Sequence, residues 1–326
     1  MMIEELLPGL YKVEIPLPKN PLKALNSYFV KGPDRFLIID TGMNREECLS
    51  PMRSALQKLD VNLNKTDFFI THLHADHSGL LGVLATDTSK VYFNKTEASF
   101  ISFQVTPDYW KEHFAFYVVN GFPEDEMQRA LQVHPGYRYH SRGRVEYTAV
   151  VEGDEIEIGD YLFQCVETPG HSPGHMCLYE ANKKILVSGD HILFDITPNI
   201  THWEQLDNSL NHYLANLDKV YKLDVDLVLP GHRRLLNDHR KRINELQEHH
   251  RNRLDEALFA LENGGKTAWE VAPYITWDIE CNSWQEFPSV QKLFAIGETI
   301  AHLDHLVLQG KARKDTKNNK ILYSLS

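Results

Sequence analysis

The segment from Phe68 to Gly79, FFITHLHADHSG, restricts the possible folds of this chain more than any other segment does. It opens with an apolar run, residues 68–70, of the kind that forms a buried strand. It closes with Ser78 and Gly79 ahead of a leucine-rich stretch, which is typical of a helix start. The polar side chains on the turn between these two elements are His72, His74, Asp76 and His77. The segment therefore predicts a strand end that carries three imidazoles and a carboxylate.

The spacing of these four side chains suits two adjacent metal ions. Alternate side chains of an extended segment share a face, so His72 and His74 can point at one centre while Asp76 and His77 reach past it. The chain has 17 His and 45 Asp or Glu among 326 residues. At those frequencies a His-x-His-x-acid-His pattern is expected by chance roughly 0.006 times in such a chain. A polar loop that is merely rich in histidine is therefore a poor explanation, and we expect metal ligands here.

Three later strand ends share one pattern, in which an apolar strand stops at a glycine beside one potential ligand. The ends read TPGH up to His171, VSGD up to Asp190 and LPGH up to His232. Glycine lets the backbone turn sharply and approach an ion closely. Each of these residues alone would more often be a hydrogen-bonded turn residue. Together with the first segment they make seven N or O donors, which suit two Zn²⁺ or similar ions with an open position for water.

The predicted elements alternate between strand and helix, which indicates an α/β fold. The strand-like runs before the metal-ligand segment are residues 10–17, 25–30 and 36–41. A second set of strand-like runs lies between residues 145 and 188. We expect the two sets to form two sheets that pack face to face. The later elements are predicted as a helix at about 203–223, a strand at 225–229 and a long helix at about 238–262.

The chain is long enough for one large domain and a small one, since it has 326 residues and 42% hydrophobic content. The run Asn263, Gly264, Gly265 ends the long helix and predicts a boundary between domains 1–263 and 264–326. The elements predicted in the second domain are helices at 267–271 and about 289–309 and a basic hairpin at 312–325. This order indicates a winged-helix-like unit.

Residues from about 100 to 147 form an insert that is rich in aromatic side chains and lies between metal-ligand segments. Two helices are predicted in it, near 107–119 and 124–133. Such an insert can act as a cap whose inner face shapes a substrate pocket. Ordinary helix packing or a dimer surface explains it equally well, so the sequence leaves its role open.

Composition and charge exclude several classes of protein. The net charge of −11 opposes general attraction to nucleic acid or to an anionic membrane. No stretch reaches the roughly 18 continuous apolar residues of a membrane-crossing helix, and the start, MMIEELLPGL, lacks a signal-peptide pattern. We therefore expect a cytoplasmic protein without a membrane partner. The four cysteines stand far apart with no C-x-x-C pair, which argues against a disulfide framework.

The motifs T-H-L-H-A-D-H-S-G, P-G-H, S-G-D and P-G-H, in this order, resemble those of the metallo-β-lactamase superfamily. The resemblance covers about residues 1–260 and implies that superfamily's four-layer αββα sandwich with a dinuclear metal site. The C-terminal helices and hairpin are similar to those of the lactamase-B-like subgroup, which carries an additional winged-helix domain. Asp190 stands where the best-known zinc β-lactamases have a cysteine. Antibiotic hydrolysis is therefore not the main role that the resemblance implies.

The resemblance also implies a role for each ligand. The first ion would be held by His72, His74 and His171, the second by Asp76, His77 and His232, and Asp190 would bridge them. Zn²⁺ is the favoured metal, with Mn²⁺ or Fe as alternatives. A hydroxide that bridges the metals would attack the substrate, and Asp76 would be the catalytic residue that orients it and passes a proton to the leaving group.

The motifs leave the substrate open between two classes. The acidic net charge and the aromatic insert favour a small-molecule ester, thioester or lactone. Two basic segments, 233–253 and 311–320, make RNA the alternative, since phosphate contacts need local positive charge. The protein would then be a single-strand endoribonuclease or phosphodiesterase with the same metal site, although solvated surfaces explain such basic runs more often. The apolar side of helix 289–309 leaves a homodimer open as well.

Overall fold

The chain folds into two β-sheets that pack face to face, in a computed structural model that describes residues 2–279 and 281–326. The elements of the first part are β1 (Ile3–Leu7), β2 (Leu10–Pro16), β3 (Ala24–Lys31), β4 (Phe36–Ile39), α1 (Glu46–Lys58), β5 (Thr66–Ile70), α2 (Ala75–Ser78), α3 (Leu81–Leu84), β6 (Val91–Asn94), α4 (Lys95–Gln104), α5 (Pro107–Val119), α6 (Glu124–Val133), α7 (Pro135–Arg138) and β7 (Thr148–Val150).

The second part continues the alternation of strands and helices. Its elements are β8 (Glu155–Ile158), β9 (Tyr161–Glu167), β10 (Met176–Glu180), β11 (Ile185–Gly189), α8 (Ser209–Tyr221), β12 (Leu227–Pro230), α9 (His239–Leu261), α10 (Ala268–Val271), α11 (Ser289–Leu308), β13 (Ala312–Lys317) and β14 (Lys320–Leu325).

The first sheet has the strand order β1-β2-β3-β4-β5-β6-β7. Its first four strands pair antiparallel, whereas β4 to β7 pair parallel. The second sheet has the order β12-β11-β10-β9-β8, in which only β11 and β12 pair parallel. Parallel neighbours need crossover helices, and these helices cover the outer faces of the two sheets.

Alternating side chains explain why the sheets are buried on both faces. In β5, Phe69 points to the core between the sheets, while Phe68 and Ile70 pack against the outer helices with Met52 of α1. In the second sheet, Leu186 of β11 faces outward to a core that it shares with α8, α9 and α11. The result is the four-layer αββα sandwich, so the predicted fold class is confirmed.

Some predicted boundaries were wrong for local reasons. The helix predicted from about residue 203 begins at Ser209, because the Asn208 side chain accepts a hydrogen bond from the Asn211 N–H and caps the helix there. Strand β1 and the short helices α2, α4 and α7 were not predicted. The remaining predicted helices and strands lie close to their observed positions.

The C-terminal segment packs onto the second sheet's helices instead of standing apart. Helix α11 contacts α6, α8 and α9, and its Ile296 and Ile300 belong to the same apolar core as Leu210 of α8. The hairpin β13–β14 follows α11, in the order that the sequence predicts. Across the described part of the chain, no helix has the length and apolar character needed to cross a membrane.

The inter-sheet core predicts that two substitutions of apolar side chains by alanine will differ widely in how much they destabilise the protein. Phe69 is fully buried between the sheets, whereas Leu162 of β9 is 40% exposed. We expect Phe69→Ala to lower the free energy of unfolding by about 3–5 kcal/mol and Leu162→Ala to change it by no more than about 0.5 kcal/mol. Urea unfolding of the two variants checks this. Equal losses would contradict the assigned inter-sheet core.

Candidate metal centre

All seven predicted ligands lie at one edge of the sandwich, where strands of both sheets end. The turn after β5 and helix α2 carry the first four, the β9–β10 turn carries His171, and the turns after β11 and β12 carry Asp190 and His232. The backbone comes unusually close at Gly231, where an added Cβ would lie 2.5 Å from Asp190 Oδ1 and 2.8 Å from His77 Cε1. Only glycine fits there, which explains the glycine of the LPGH motif before His232.

The first group consists of His72, His74 and His171. Its ring nitrogens face one another, with 2.9 Å between His72 Nε2 and His74 Nδ1 and 3.0 Å between His171 Nε2 and His74 Nδ1. One metal ion placed among them could therefore contact all three nitrogens.

The second group consists of Asp76, His77 and His232. His232 Nε2 lies 3.3 Å from both Asp76 Oδ2 and His77 Nε2. Asp190 lies between the two groups, with 3.5 Å to the Nε2 atoms of His77 and His232 and 3.7 Å to that of His171. The structure thus brings together both predicted groups and the predicted bridging residue.

Contacts behind the imidazoles orient their inner nitrogens. His77 Nδ1 lies 2.7 Å from Asp40 Oδ2, His171 Nδ1 lies 2.8 Å from the carbonyl oxygen of Asn199, and His232 Nδ1 lies 2.7 Å from that of Ala24. An acceptor at Nδ1 favours the tautomer that carries its proton there. The Nε2 lone pairs then point into the centre, as metal binding requires.

The electrostatics of the centre also fit divalent cations. Burial alone would raise the pKa of Asp76, but His77 and His232 hold it at about 2. Burial would lower the pKa of His77, yet the carboxylates of Asp40, Asp190 and Asp76 raise it well above its usual value. Asp190 Oδ1 is buried without a hydrogen-bond partner. Among the residues that the structure describes, no Lys or Arg pairs with these three carboxylates.

Glu97 and Trp203, which lie beside the centre, were missed by sequence reasoning. Glu97 of α4 is buried and accepts hydrogen bonds from Ser172 Oγ and, at 3.0 Å, from the Gly174 N–H, which fixes the turn that carries His171. Trp203 donates its Nε1–H to the His171 carbonyl oxygen at 3.0 Å. The sequence contained one indication of Glu97. Asn94 ends β6 and caps α4, so this strand, like the strands that carry the ligands, is followed by a polar residue.

A cavity of about 1880 Å³ opens from the metal centre. His74, Asp76, His171 and Asp190 lie in its wall, and the aromatic insert supplies much of the remainder. Ring centroids lie 5.5–6.5 Å apart along the series His74, Trp203, Phe100, Tyr109, His113, His134 and Phe294. Burial lowers the pKa of His113 to about 3 and that of His134 to about 4, so this aromatic wall is uncharged at neutral pH.

The contact between Asp40 and His77 predicts an effect on metal binding. Asp40→Asn would turn its amide N–H₂ either toward His77 Nδ1, which disfavours the tautomer that exposes Nε2, or toward the Thr71 backbone N–H, which loses the hydrogen bond that holds the Asp40 side chain in place. We expect metal affinity to fall by roughly 10–100-fold, measured by competition with a chromogenic chelator. Asp67→Asn is the control, since Asp67 binds Arg35 at the opposite end of β5. Equal affinity in both variants would rule out the orienting role of Asp40.

Comparisons with known proteins agree with this geometry. Residues 22–232 match the model of the metallo-beta-lactamase superfamily, and residues 254–323 match that of the metallo-beta-lactamase-like C-terminal domain. The probable metallo-hydrolase YqjP of Bacillus subtilis is 27% identical over 289 residues, which is 86% of this chain and 86% of YqjP. The human acyl-coenzyme A thioesterase MBLAC2 is 28% identical over 220 residues, which is 64% of this chain and 72% of the relative.

A solved structure extends the likeness to the whole chain. A metallo-beta-lactamase family protein of Thermus thermophilus superposes with a TM-score of 0.83 at 26% identity, covering 99% of this chain and 100% of that one. These relatives confirm the predicted enzyme class at the level of the family, since YqjP and MBLAC2 are named as a hydrolase and a thioesterase. From the family model, the motifs and the fold together, this chain belongs to the metallo-beta-lactamase superfamily.

Proposed function

We propose that this protein is a dinuclear metal-dependent hydrolase that cleaves a small-molecule thioester. The observation that carries the proposal is the position of two adjacent donor groups, linked by Asp190, at the inner end of an aromatic cavity. Esters and lactones belong to the same class of carbonyl substrate. The likeness to the human acyl-coenzyme A thioesterase favours the thioester among them.

The seven donors would hold two divalent ions, in the grouping that the distances support. We propose Zn²⁺, with Mn²⁺ and Fe as alternatives, because imidazole and carboxylate ligands suit all three. When bound, two such ions supply a hydroxide nucleophile near neutral pH and polarise the carbonyl oxygen.

Asp76 is suited to move the proton. Its carboxylate lines the cavity and is ionised at neutral pH, since its pKa is about 2. It would take up the proton that the attacking water gives up and pass that proton to the departing sulfur, so the products are a carboxylic acid and a thiol. His232, 3.3 Å away, keeps the Asp76 carboxylate in place.

The aromatic wall favours a substrate whose acyl group is apolar and binds inside the cavity. Its rings present apolar faces and edges, and His113 and His134 are neutral. Burial of an acyl chain against such a wall is favourable in proportion to the apolar area removed from water. We propose that the aromatic insert is a specificity element, with Tyr109 at its centre.

The second candidate function is a single-strand endoribonuclease or phosphodiesterase with the same metal site. The basic segments 233–253 and 311–320 favour it, and Lys241 lines the cavity. Several of these cations, however, bind acceptors of the protein itself: Arg234 binds Asp195, Arg240 binds two carbonyl oxygens, and Lys314 binds Asp304. Cations engaged in this way are less free to follow a phosphate backbone, which places this function second.

Three sequence-based assignments complete the proposal. We propose that the C-terminal unit is a winged-helix-like domain and that the domain boundary lies between residues 263 and 264. We also propose that a homodimer, if one forms, uses helix α11. The apolar side of α11 that would serve a dimer is largely occupied by the core with α8 and α9.

The proposed chemistry predicts the outcome of a substrate panel with the metal-loaded protein. We expect turnover of an acyl thioester and no cleavage of a labelled single-stranded RNA. Asp76→Ala is expected to lower thioester turnover by roughly 10²–10⁴-fold, whereas Asp218→Ala, which changes an exposed carboxylate on α8, should leave it unchanged. RNA cleavage that declines steeply with salt and disappears in Asp76→Ala would replace the first function with the second.

The aromatic wall predicts a dependence on acyl length. Tyr109→Ala should raise KM for a twelve-carbon acyl thioester by about tenfold, because the chain loses one ring contact. KM for the acetyl thioester should stay unchanged, since two carbons do not reach past Trp203 and Phe100. Phe259→Ala is the control, an exposed aromatic ring of α9 that does not line the cavity. A uniform change for both substrates would argue against an acyl site at Tyr109.

A further inference from the structure

The C-terminal segment reaches the metal centre through Glu298 of α11, a residue with no assigned part in the chemistry. We propose that Glu298 is a positioning residue for His171, so that the C-terminal segment completes the first group of metal ligands. The inference rests on the proposed function in so far as that function requires metal ions.

A short chain of hydrogen bonds links Glu298 to His171. His171 Nδ1–H donates to the carbonyl oxygen of Asn199 at 2.8 Å. The Asn199 side chain donates its Nδ2–H to Glu298 Oε2 at 2.7 Å and lies 3.3 Å from the carbonyl oxygen of Phe294. The carbonyl group that orients the His171 imidazole therefore belongs to a residue that α11 holds in place.

Arg253 of α9 fixes the Glu298 carboxylate from the other side. Its guanidinium pairs with Glu298 Oε1 and lies 4.4 Å from the centre of the Trp277 ring. Arg253 is 8% exposed and Glu298 is 3% exposed. A buried ion pair keeps its geometry because separation leaves an uncompensated charge in a medium of low dielectric constant. Glu298 is thus a fixed acceptor for the Asn199 amide.

The loop between Asn199 and Trp203 lies directly on α11. The His202 N–H donates to the carbonyl oxygen of Gly297 at 3.2 Å. A Cβ at Gly297 would lie 2.2 Å from Thr201 Oγ1, so only glycine permits this approach. The same loop supplies Trp203, whose Nε1–H binds the His171 carbonyl oxygen. His171 is therefore held at its ring and at its backbone by one loop seated on the C-terminal helix.

A third metal site is a weaker interpretation of the same region. Ligand atoms of His249, His250 and Glu298 lie within 4.8 Å of one another. Both carboxylate oxygens of Glu298 are already engaged, one by the positive guanidinium of Arg253 and one by Asn199. A cation beside that guanidinium would be repelled, so the contacts favour a positioning role.

Glu298→Gln tests the proposal, with Glu126→Gln as the matched control. The introduced amide can accept from Asn199 or from Arg253 but must turn its own N–H₂ toward the other donor. Glu126→Gln makes the same chemical change in another ion pair of α11, where Glu126 Oε1 lies 2.9 Å from Lys292 Nζ. Neither Glu126 nor Lys292 lines the cavity. The control therefore carries the structural cost of a lost ion pair without the connection to His171.

The readouts are metal affinity by chelator competition, the visible absorption spectrum of the Co²⁺-loaded protein, and the thermal midpoint of the metal-free protein. We expect Glu298→Gln to weaken binding of one of the two ions by roughly tenfold, near the lower limit for residues that act through a ligand, and to change the Co²⁺ spectrum. Glu126→Gln should lower the thermal midpoint without either change. Identical affinity and spectra in the two variants would overturn the inference.

Asn199→Ala keeps the test decisive if Glu298→Gln does not fold. It removes the amide that joins the loop to Glu298 but leaves the Arg253 pair intact. We expect the same tenfold loss of affinity, and no additional loss when both changes are combined, because they break one chain of contacts. Binding equal to that of the unaltered protein would refute the role of Glu298. If the unaltered protein did not bind metal, the proposed function itself would be wrong. That result differs from one in which the unaltered protein and the variants bind metal equally well.

Discussion

Three buried carboxylates, those of Asp40, Asp76 and Asp190, contact a single imidazole, His77. Ionised groups removed from water cost several kcal/mol each unless they are compensated, and much of the surrounding structure serves this need. Strands of two sheets must end at one place so that imidazoles can surround the acids. Gly231 lets one of these strand ends approach closely, and backbone carbonyl groups behind the rings keep the lone pairs turned inward.

The parts of this arrangement that are local in sequence could be predicted from it. The first four ligands lie within six positions of one another, so the periodicity of an extended segment is enough to group them. His171, Asp190 and His232 could be recognised because each follows a strand and a glycine. The unbroken apolar run of β5 likewise indicates a buried strand, and the structure buries both of its faces.

The contacts that depend on tertiary structure could not be predicted in the same way. Glu97, Asn199 and Glu298 lie in segments whose residue types suggest capping or surface roles, and each acquires its part only when distant segments meet. Similarly, the aromatic residues of the insert gave no sign of their order along the cavity wall. That order arises from how α4 and α5 pack beside Trp203, and sequence spacing alone carries no information about it.

The position of His232 has a consequence for how the protein is made. Its imidazole is held by the carbonyl oxygen of Ala24, and the neighbouring Pro230 carbonyl oxygen accepts bonds from Asn26 and Tyr28, across separations of 202–208 residues. These contacts close a very long loop. Such loops form late in folding, because the chain loses conformational entropy on closure before the contacts that compensate this loss have formed. A nascent chain can complete the first sheet long before residue 232 leaves the ribosome. Binding of the full set of metal ions would therefore indicate that the segment around Ala24 has paired with the segment around His232. A chain stalled before that point would lack His232 at the site and would leave its carboxylates exposed.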